Sequence, residues 1–386
     1  MGTTAKAAWM GLALSAMVAP ASAQLAVSAN DAKVRLVDGV VQVVENPPSD
    51  SVAIIDMSGP GPRVRATLRV PTSVAGPPLS VAISPDESIA LVTAAQRVDP
   101  ANPRNQVPHN LLTVIDLKAD PPIVLQTLTV GNGAAGVSIN PAGTLALVAN
   151  RAEGTVSVLT ISGKTVTVGP KIALGEPNSG PSHAAFTPDG KRALVTRDND
   201  HKISVLAIDG TNVTYTRRDI NAGLRPYGID ISSRGRAAVV ANIGLGGGDA
   251  DTISVIDMAL EPPRVVDTIT VGQTPEGIKI SPDGRFVAVV VMVGSNKPAA
   301  SPFFAARGRV VIYRLNGVTL DEITSAPIGK WSQGVGWSPN GRQLLVQNMV
   351  ERDIQVFSFN GRRLVERSRI AFEGGPAAIR FAEPPR

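Results

Sequence analysis

Side chains that can move protons and hold anions are concentrated between residues 183 and 225 of this 386-residue chain. A base such as His183 or Asp198 can take a proton from water, and a guanidinium such as that of Arg197 or Arg225 can stabilise the oxyanion that forms. The same guanidiniums can instead bind an acidic or phosphorylated small molecule. The residue types therefore allow a hydrolysis or the binding of an anion, and a solvated polar surface is the plain alternative.

The elements that must position these residues are short apolar runs that recur along the chain. Each copy has one apolar run, a turn, a second run and then a third. Pro presets φ, Asp or Asn bonds its own backbone and Gly takes a positive φ, so the punctuation predicts a tight turn between two strands. The copies are SVAISPDE (80–87), GVSINPAG (136–143), HAAFTPDG (183–190), GIDISSRG (228–235), GIKISPDG (277–284), GVGWSPNG (334–341) and a degenerate AAIRFAEP (377–384).

This repeat predicts an all-β fold, a seven-bladed β-propeller with four strands in each blade, over residues 24–386 as one domain. The seventh copy supplies only an inner strand before the sequence stops. At the other end, residues 40–45, 51–57 and 64–70 have the pattern of second, third and fourth strands. The N- and C-terminal strands are therefore expected to close the last blade together, which leaves no exposed sheet edge at the junction.

Comparison of the copies singles out His183 and Arg197. The residue five positions before the turn Gly-type position starts each inner strand, and it is small in every copy except the third, which has His183. The end of the second strand is Ala, Asn or Val in the other copies, whereas the third has Arg197. We expect the Asn residues there to bond loop backbone, a common role for this residue type. The third blade is thus the predicted place for function.

Three long loops between second and third strands, residues 96–110, 243–251 and 293–308, are expected to surround the same channel mouth. Loops of this length between short strands often carry function. We therefore expect His183 and Arg197 to converge at this mouth with Asp198 and Arg225. Further candidates for binding a ligand or partner there are Asp200, His201, Tyr227, Glu276, Trp331, Gln333, Phe303 and Phe304.

Composition and spacing argue against several other kinds of site. The net charge is +5, or +4 once Lys6 is subtracted, and there are no runs of Lys or Arg, which disfavours nucleic acid as a partner. The chain has no Cys and no pair of His at metal-ligand spacing, so no metal site is predicted. Asp249 and Asp251 offer oxygens, but their spacing matches no dedicated Ca²⁺ loop. No cofactor motif is present, and we expect no cofactor.

Residues 1–23 have the pattern of a cleavable Sec-type signal peptide. Lys6 supplies the positive charge, residues 7–18 are apolar, and Ala21-Ser22-Ala23 forms a small-residue cleavage site. The apolar run is too short for a stable bilayer anchor. We therefore expect cleavage after Ala23 and a periplasmic or secreted monomer without a membrane span.

Two family resemblances are visible in the repeats. GIKISPDGRFVAVV, GVSINPAGTLALVAN and TISVIDM resemble the YVTN family of bacterial β-propeller repeats, over nearly the whole mature chain. SGPSHAAFTPDGKRALVT resembles the seven-bladed lactonase family, which includes 6-phosphogluconolactonases. That family carries Gly-Pro-x-His before the turn, matched in part by Gly180-Pro181-Ser182-His183 with Ser182 where Arg is usual. It also tends to have Asn-Glu where this chain has Arg197-Asp198. By analogy, the resemblance implies activity on cyclic esters.

Three functions are therefore expected in turn. The first is an exported, non-catalytic propeller that binds an unknown small molecule or a periplasmic protein at the His183 face. The second is a lactone hydrolase with His183 and Asp198 as candidate bases and Arg197 or Arg225 on the oxyanion. The third, which rests on related propellers alone, is an accessory scaffold of a periplasmic redox system.

Overall fold

The strands of this protein form a closed ring of seven sheets. The computed structural model describes Gly2 and residues 24–59 and 61–383, so the predicted signal peptide, Gly2 apart, lies outside the described residues. Within them there are thirty strands in seven four-stranded sheets and one two-stranded hairpin. The predicted seven-bladed all-β propeller is confirmed. In the part of the chain that is described, no helix has the length and apolar character needed to cross a membrane.

The strands follow one another in chain order as follows. The first five are β1 (Leu25–Asp31), β2 (Val34–Val37), β3 (Val40–Val43), β4 (Ser51–Asp56) and β5 (Arg63–Arg69). Blades 1 to 3 contain β6 (Val81–Ile83), β7 (Ile89–Val98), β8 (Gln106–Asp116), β9 (Ile123–Thr129), β10 (Ala134–Ile139), β11 (Leu145–Asn150), β12 (Thr155–Ser162), β13 (Thr165–Ala173), β14 (Pro181–Phe186), β15 (Arg192–Arg197), β16 (Lys202–Asp209) and β17 (Asn212–Ile220). Blades 4 to 6 contain β18 (Pro226–Ile231), β19 (Ala237–Asn242), β20 (Asp251–Asp257), β21 (Arg264–Gly272), β22 (Pro275–Ile280), β23 (Phe286–Val291), β24 (Arg309–Asn316), β25 (Thr319–Pro327), β26 (Ser332–Trp337), β27 (Gln343–Asn348), β28 (Asp353–Phe359) and β29 (Leu364–Ala371), and the last strand is β30 (Gly375–Phe381).

Burial differs between the inner and outer strands because the blades stack face to face. Every residue of β23 is buried, which explains its continuous apolar sequence FVAVVV. The outermost strand of the same blade type alternates, as in β5, where only every second residue is partly covered. Between blades 4 and 5, Val255 packs in one apolar cluster with Val289 and Ile278. The core therefore lies between blades and leaves the channel to the inner strands.

The turn between first and second strands has the geometry that the sequence predicts. In blade 3 the Gly190 N–H donates to the Thr187 carbonyl at 2.8 Å, and Gly190 has a φ of +68°. The Asp189 carboxylate accepts from the Thr187 hydroxyl at 2.6 Å and from the Lys191 N–H at 3.0 Å. These turns all lie at one end of the channel, here called the turn end. The loops between second and third strands lie at the opposite, loop end.

Blade 7 is built from both ends of the chain, in the order β30, β1, β4, β5 from the axis outward. Ala29 of β1 lies opposite Ala378 of β30. Closure by N- and C-terminal strands is confirmed, but the predicted second strand at residues 40–45 is wrong. The second strand is β1, all of whose residues are buried, whereas β3 pairs with β2.

The β2–β3 hairpin extends from blade 7 over its neighbours at the loop end. Val34 packs with Met292, Trp331 and Ala377. At the hairpin tip, the Ala299 N–H donates to Asp38 Oδ1 at 2.9 Å. The hairpin thus covers part of blade 6 and contacts the long loop of blade 5.

Candidate functional site

Four of the inner strands place a polar side chain at the same height of the channel. The first residue of each inner strand pairs with the last residue of the second strand, as Pro181 does with Arg197 and Pro275 with Val291. The next residue therefore lies at the loop end of the channel. In blades 3 to 6 these residues are Ser182, Tyr227, Glu276 and Gln333.

Asp198 is the centre of a charged cluster at this end. Its carboxylate is fully buried and accepts two hydrogen bonds from Arg151, at 2.8 and 3.1 Å, and one from Arg225, at 2.7 Å. The Ser182 hydroxyl lies 2.7 Å from Asp198 Oδ1. Burial alone would raise the pKa of Asp198, but the two guanidiniums and Ser182 outweigh it and hold that pKa below its usual range. Asp198 therefore stays ionised and fixes both arginines.

Glu276 and Tyr227 add two groups that are neutral at pH 7. Burial raises the pKa of Glu276 to about 8, although Arg225 and Arg151 oppose the shift. Burial, and then the charge of Glu276, also raises the pKa of the Tyr227 phenol. The Arg151 guanidinium carbon lies 5.6 Å from the centroid of the Tyr227 ring, in cation–π contact. We call these residues together the Asp198 cluster: Arg151, Ser182, Asp198, Arg225, Tyr227 and Glu276.

The Asp198 cluster has one net positive charge at neutral pH, since two guanidiniums face one carboxylate and Glu276 is protonated. Arg225 Nε is buried and has no hydrogen-bond partner among the described residues, and the same is true of Glu276 Oε2. A buried polar atom left unpaired costs about 1–3 kcal/mol. A ligand that offers an oxygen acceptor to the arginine and a polar hydrogen to the glutamate would remove both costs.

His201 holds Arg225 in place from the neighbouring blade. The Arg225 N–H donates to His201 Nδ1 at 3.1 Å, and its carbonyl accepts from the Ile243 N–H at 3.1 Å. Arg225 has a φ of +56°, an unusual conformation for a residue with a side chain. These contacts show how the backbone is kept in the shape that directs the guanidinium towards Asp198.

His183 does not join the Asp198 cluster, so the expected convergence at one mouth is wrong for this residue. Its imidazole points along the channel to the turn end, where Nε2 accepts from Arg380 at 3.1 Å and lies 3.3 Å from Ser138 Oγ. Burial, and then the positive charges of Arg380 and Lys279, hold the pKa of His183 well below its ordinary value. A neutral imidazole at the other end of the channel cannot act on a substrate held by Asp198.

Arg197 lies at the loop end but faces away from the channel, which corrects the same expectation. Its guanidinium bonds Asp200, donates to Ser204 Oγ at 3.2 Å and lies 3.5 Å from Asp219 Oδ2. The asparagines at this position in other blades also turn towards the third strand, as Asn150 does to the Ser157 hydroxyl at 3.0 Å. Arg197 therefore does the structural work of those asparagines with a longer side chain. Asp200 serves as its partner.

The remaining candidates lie around the loop end but outside the Asp198 cluster. Trp331 is buried under the β2–β3 hairpin, and Gln333 donates to the Trp331 carbonyl at 3.2 Å. Phe303 and Phe304 are exposed on the blade 5 loop. The Phe303 ring also covers Gly248, where an added Cβ would come within 2.4 Å of the ring.

The sequence comparison missed Arg151, although the repeat contains a signal for it. Arg151 follows Asn150 in blade 2 just as Asp198 follows Arg197 in blade 3. Across the copies this position is otherwise apolar, with Ile243, Met292 and Met349. Aligning the repeats one residue further would have predicted an arginine and an aspartate of adjacent blades at equal heights.

No group of three His, Cys, Asp or Glu side chains within residues 24–59 and 61–383 is arranged to hold a metal ion. Asp251, one of the two residues considered for Ca²⁺, instead accepts from the Thr274 N–H at 2.8 Å. The donors at the Asp198 cluster are guanidiniums, which favour anions over cations.

Comparison with protein families adds one match to this geometry. Residues 167–297 match the model of the lactonase family with a seven-bladed β-propeller. The matched segment is about a third of the chain and confirms the partial lactonase resemblance. It contains five members of the Asp198 cluster and omits Arg151. No curated protein sequence matches the chain.

Solved structures share the fold over most of the chain. A candidate 6-phosphogluconolactonase of Bacteroides fragilis is 16% identical with a TM-score of 0.71, covering 94% of this chain and 98% of that one. The periplasmic gluconolactonase of Pseudomonas aeruginosa is 16% identical with a TM-score of 0.65, covering 93% and 99%. A chain of the hydrazine synthase of Kuenenia stuttgartiensis is 19% identical with a TM-score of 0.62, covering 82% and 92%. At these identities the likeness concerns the fold alone.

Proposed function

We propose that the protein is a lactonase, a hydrolase of cyclic esters, and that its substrate bears an acidic group. The observation that carries the proposal is the buried carboxyl of Glu276 beside two guanidiniums fixed on Asp198. A base with a pKa of about 8 is matched to proton transfer near neutral pH. Guanidiniums held in advance by a carboxylate can receive an oxyanion without reorganising.

In the proposed reaction the Glu276 carboxylate takes a proton from water while the water oxygen bonds to the lactone carbonyl carbon. The oxyanion of the tetrahedral intermediate accepts hydrogen bonds from Arg225 and Arg151. The ring C–O bond then breaks, and the leaving alkoxide takes the proton from Glu276. The product is an open hydroxy acid, and the glutamate returns to its ionised state. Asp198 positions the two arginines and does not touch the substrate.

The family resemblance and the geometry support each other at Ser182. The lactonase pattern has Arg where this chain has Ser182. Arg151 of the adjacent blade brings a guanidinium to the Ser182 hydroxyl. The positive charge that the substitution removes is thus supplied from a different strand, which keeps anion recognition available at this height of the channel.

The test is turnover of a panel of aldonolactones and muconolactones by the purified mature protein. Glu276→Gln removes the base and keeps the shape, so hydrolysis above the uncatalysed rate should fall by about 10²-fold or more. Glu373→Gln is the matched control, because that glutamate is exposed and lies 3.8 Å from an exposed Arg69. Absence of turnover on the whole panel, or equal turnover in the two variants, would refute the proposal.

A second candidate, an exported protein that binds a protein partner, is favoured by exposed apolar side chains on the loop-end rim. Val40 of the hairpin, Leu245 of the blade 4 loop and Phe303 of the blade 5 loop are all exposed. The three segments touch, since Lys297 Nζ donates to the Gly246 carbonyl at 2.6 Å and Asp38 accepts from Ala299. Recovery of the same periplasmic proteins with Phe303→Ser and Leu245→Ser as with the parent would exclude this rim as the contact.

A further inference from the structure

The turn end of the channel contains two adjoining cavities, of about 70 and 110 Å³, that the proposed lactonase site does not use. They share walls made by the end of the last strand and by blade 4. The shared residues are Asp230, Ile231, Arg380, Phe381 and Glu383. We call the two cavities together the turn-end chamber.

The chamber exists because the inner strands end unequally. The residue before the last is Ala, Ser, Ala or Gly in blades 1, 2, 3 and 6. In the other three blades it is Asp230, Lys279 or Arg380. Small residues leave room on one side of the axis, and the charged side chains gather on the other. A closely packed channel would place apolar residues of similar size around the ring.

The charges of the chamber are arranged around Lys279. Its Nζ lies 3.0 Å from Asp230 Oδ1 and 2.5 Å from Glu383 Oε1. Asp230 is tied to the strand, because its other oxygen accepts from the Ile280 N–H at 2.8 Å. Glu383 belongs to the C-terminal tail, and half of its side chain is exposed. The chain's own tail thus demonstrates that this lysine receives a carboxylate entering from the turn end.

Arg380 and His183 form a second polar contact at the back of the chamber. Arg380 can only donate, so His183 Nε2 is the acceptor and the ring proton lies on Nδ1. Nδ1 is buried and has no hydrogen-bond partner among the described residues. The wall of the smaller cavity therefore presents an unused donor, a feature of polar ligand sites rather than of a finished core.

The larger cavity has an apolar wall beside these charges. Trp337, Ile280 and Val335 line it. The indole is held in place, since Trp337 Nε1 donates to the Lys279 carbonyl at 3.1 Å. A cavity of about 150 Å³ admits benzene, so one of 110 Å³ suits a chain of three or four carbons.

We propose that the turn-end chamber is a binding site for a short-chain organic carboxylate. Its carboxylate takes the place of Glu383 on Lys279 and within reach of Arg380, and its aliphatic part packs against Trp337 and Ile280. Glu383 then acts as an internal competitor. The site is separate from the Asp198 cluster, so it stands or falls independently of the lactonase proposal.

The test uses butyrate as the probe and butyramide as its neutral isostere, in the full mature chain. Trp331→Phe leaves Trp337 as the one tryptophan after Ala23, so its fluorescence reports on the chamber. Removing the competitor by Glu383→Gln should tighten butyrate binding about fivefold, the factor that a partly exposed ion pair of ~1 kcal/mol corresponds to. Lys279→Met should abolish binding, and Lys279→Arg should restore it in part.

Three results would overturn the proposal. These are equal binding of butyrate and butyramide, equal butyrate affinity with and without Glu383→Gln, and full binding in Lys279→Met. Glu383→Gln alters an exposed side chain and is expected to fold, so the comparison does not depend on the lysine variants. Arg225→Gln is the control at the opposite end, where it should remove lactone turnover and leave butyrate binding unchanged.

Discussion

Arg151 of blade 2 holds Asp198 of blade 3 through two hydrogen bonds, of 2.8 and 3.1 Å, to the two oxygens of one fully buried carboxylate. This bidentate contact joins two blades at the channel, and Arg225 of blade 4 completes it from the other side. A three-blade ion cluster of this kind fixes the direction of each guanidinium more closely than the backbone of any one blade can.

Asp198→Asn should therefore affect both stability and turnover. It leaves two arginines that are less than one-third exposed beside a neutral amide, so the free energy of unfolding should fall by about 3 kcal/mol. Misplaced guanidiniums should lower kcat about 10²-fold while the variant still folds. Urea denaturation and lactone kinetics measure the two effects. With Glu373→Gln, whose ion pair is exposed, both should stay near the parent values.

The pH dependence of turnover should report Glu276. A general base must be ionised, so kcat/KM is expected to rise about tenfold per pH unit below its pKa of about 8 and to level off above it. Uncatalysed lactone hydrolysis, measured without protein, has to be subtracted at each pH. A profile that is already flat from pH 5 upward would assign the base to a different group.

Stability should carry the same signature with the opposite sign. The pKa of Glu276 is raised to about 8 in the folded protein from the ordinary 4.5, so the folded state binds its proton more tightly than the unfolded chain does. Its contribution is complete below pH 4.5 and is lost as the pH rises towards 8. The melting temperature of the parent should thus fall relative to that of Glu276→Gln across this window. A constant difference between the two proteins would contradict the raised pKa.

Arg197→Asn should be tolerated, because asparagine is what blades 2, 4 and 6 carry at this position. The guanidinium faces Asp200, Ser204 and Asp219 and not the channel. Lactone turnover should remain within about threefold of the parent, whereas Arg151→Met should lower it about 10²-fold. Equal losses in the two variants would show that Arg197 reaches the substrate.

Gly39→Val should detach the β2–β3 hairpin from the blade 5 loop. Gly39 has a φ of +76°, and a Cβ there would lie 2.4 Å from Pro298 Cδ. The strain should cost about 1–2 kcal/mol and open residues 293–308 to proteolysis. Limited trypsin digestion, which can cut after Lys297 or Arg307, measures the change. Gly190→Val is the comparison, because its φ of +68° is similar but no atom lies within 4 Å of the added Cβ.

The fold could be predicted from the sequence because one strand pattern recurs seven times, and each copy corrects errors in the others. The strand β1 escaped because no Pro-type turn precedes it, and because the apolar residues of β3 imitate its pattern nearby. Burial separates the two, since β1 is covered throughout and most of β3 is exposed. That distinction depends on neighbouring blades and is not visible in a single strand.

The candidate site could be predicted only in part, since strand position gives height in the channel but not the direction of a long side chain. Asp198, Arg225, Tyr227 and Glu276 come together as one cluster at the expected height. His183 does not, because the register shifts between Pro181 and His183 and turns the following residue. Its imidazole is long enough to reach the far end of the channel, which no repeat alignment can reveal.

The pairing of β1 with β30 has a consequence for biosynthesis. β1 is among the first segments of the propeller to leave the ribosome, and its inner neighbour is the last strand to be made. At ~5–20 residues per second, the two halves of this sheet are separated by tens of seconds of translation. During that time the edge of β1 that will meet β30 has no native partner, and it is a site for pairing with other chains. Premature termination anywhere before residue 375 would make this exposure permanent.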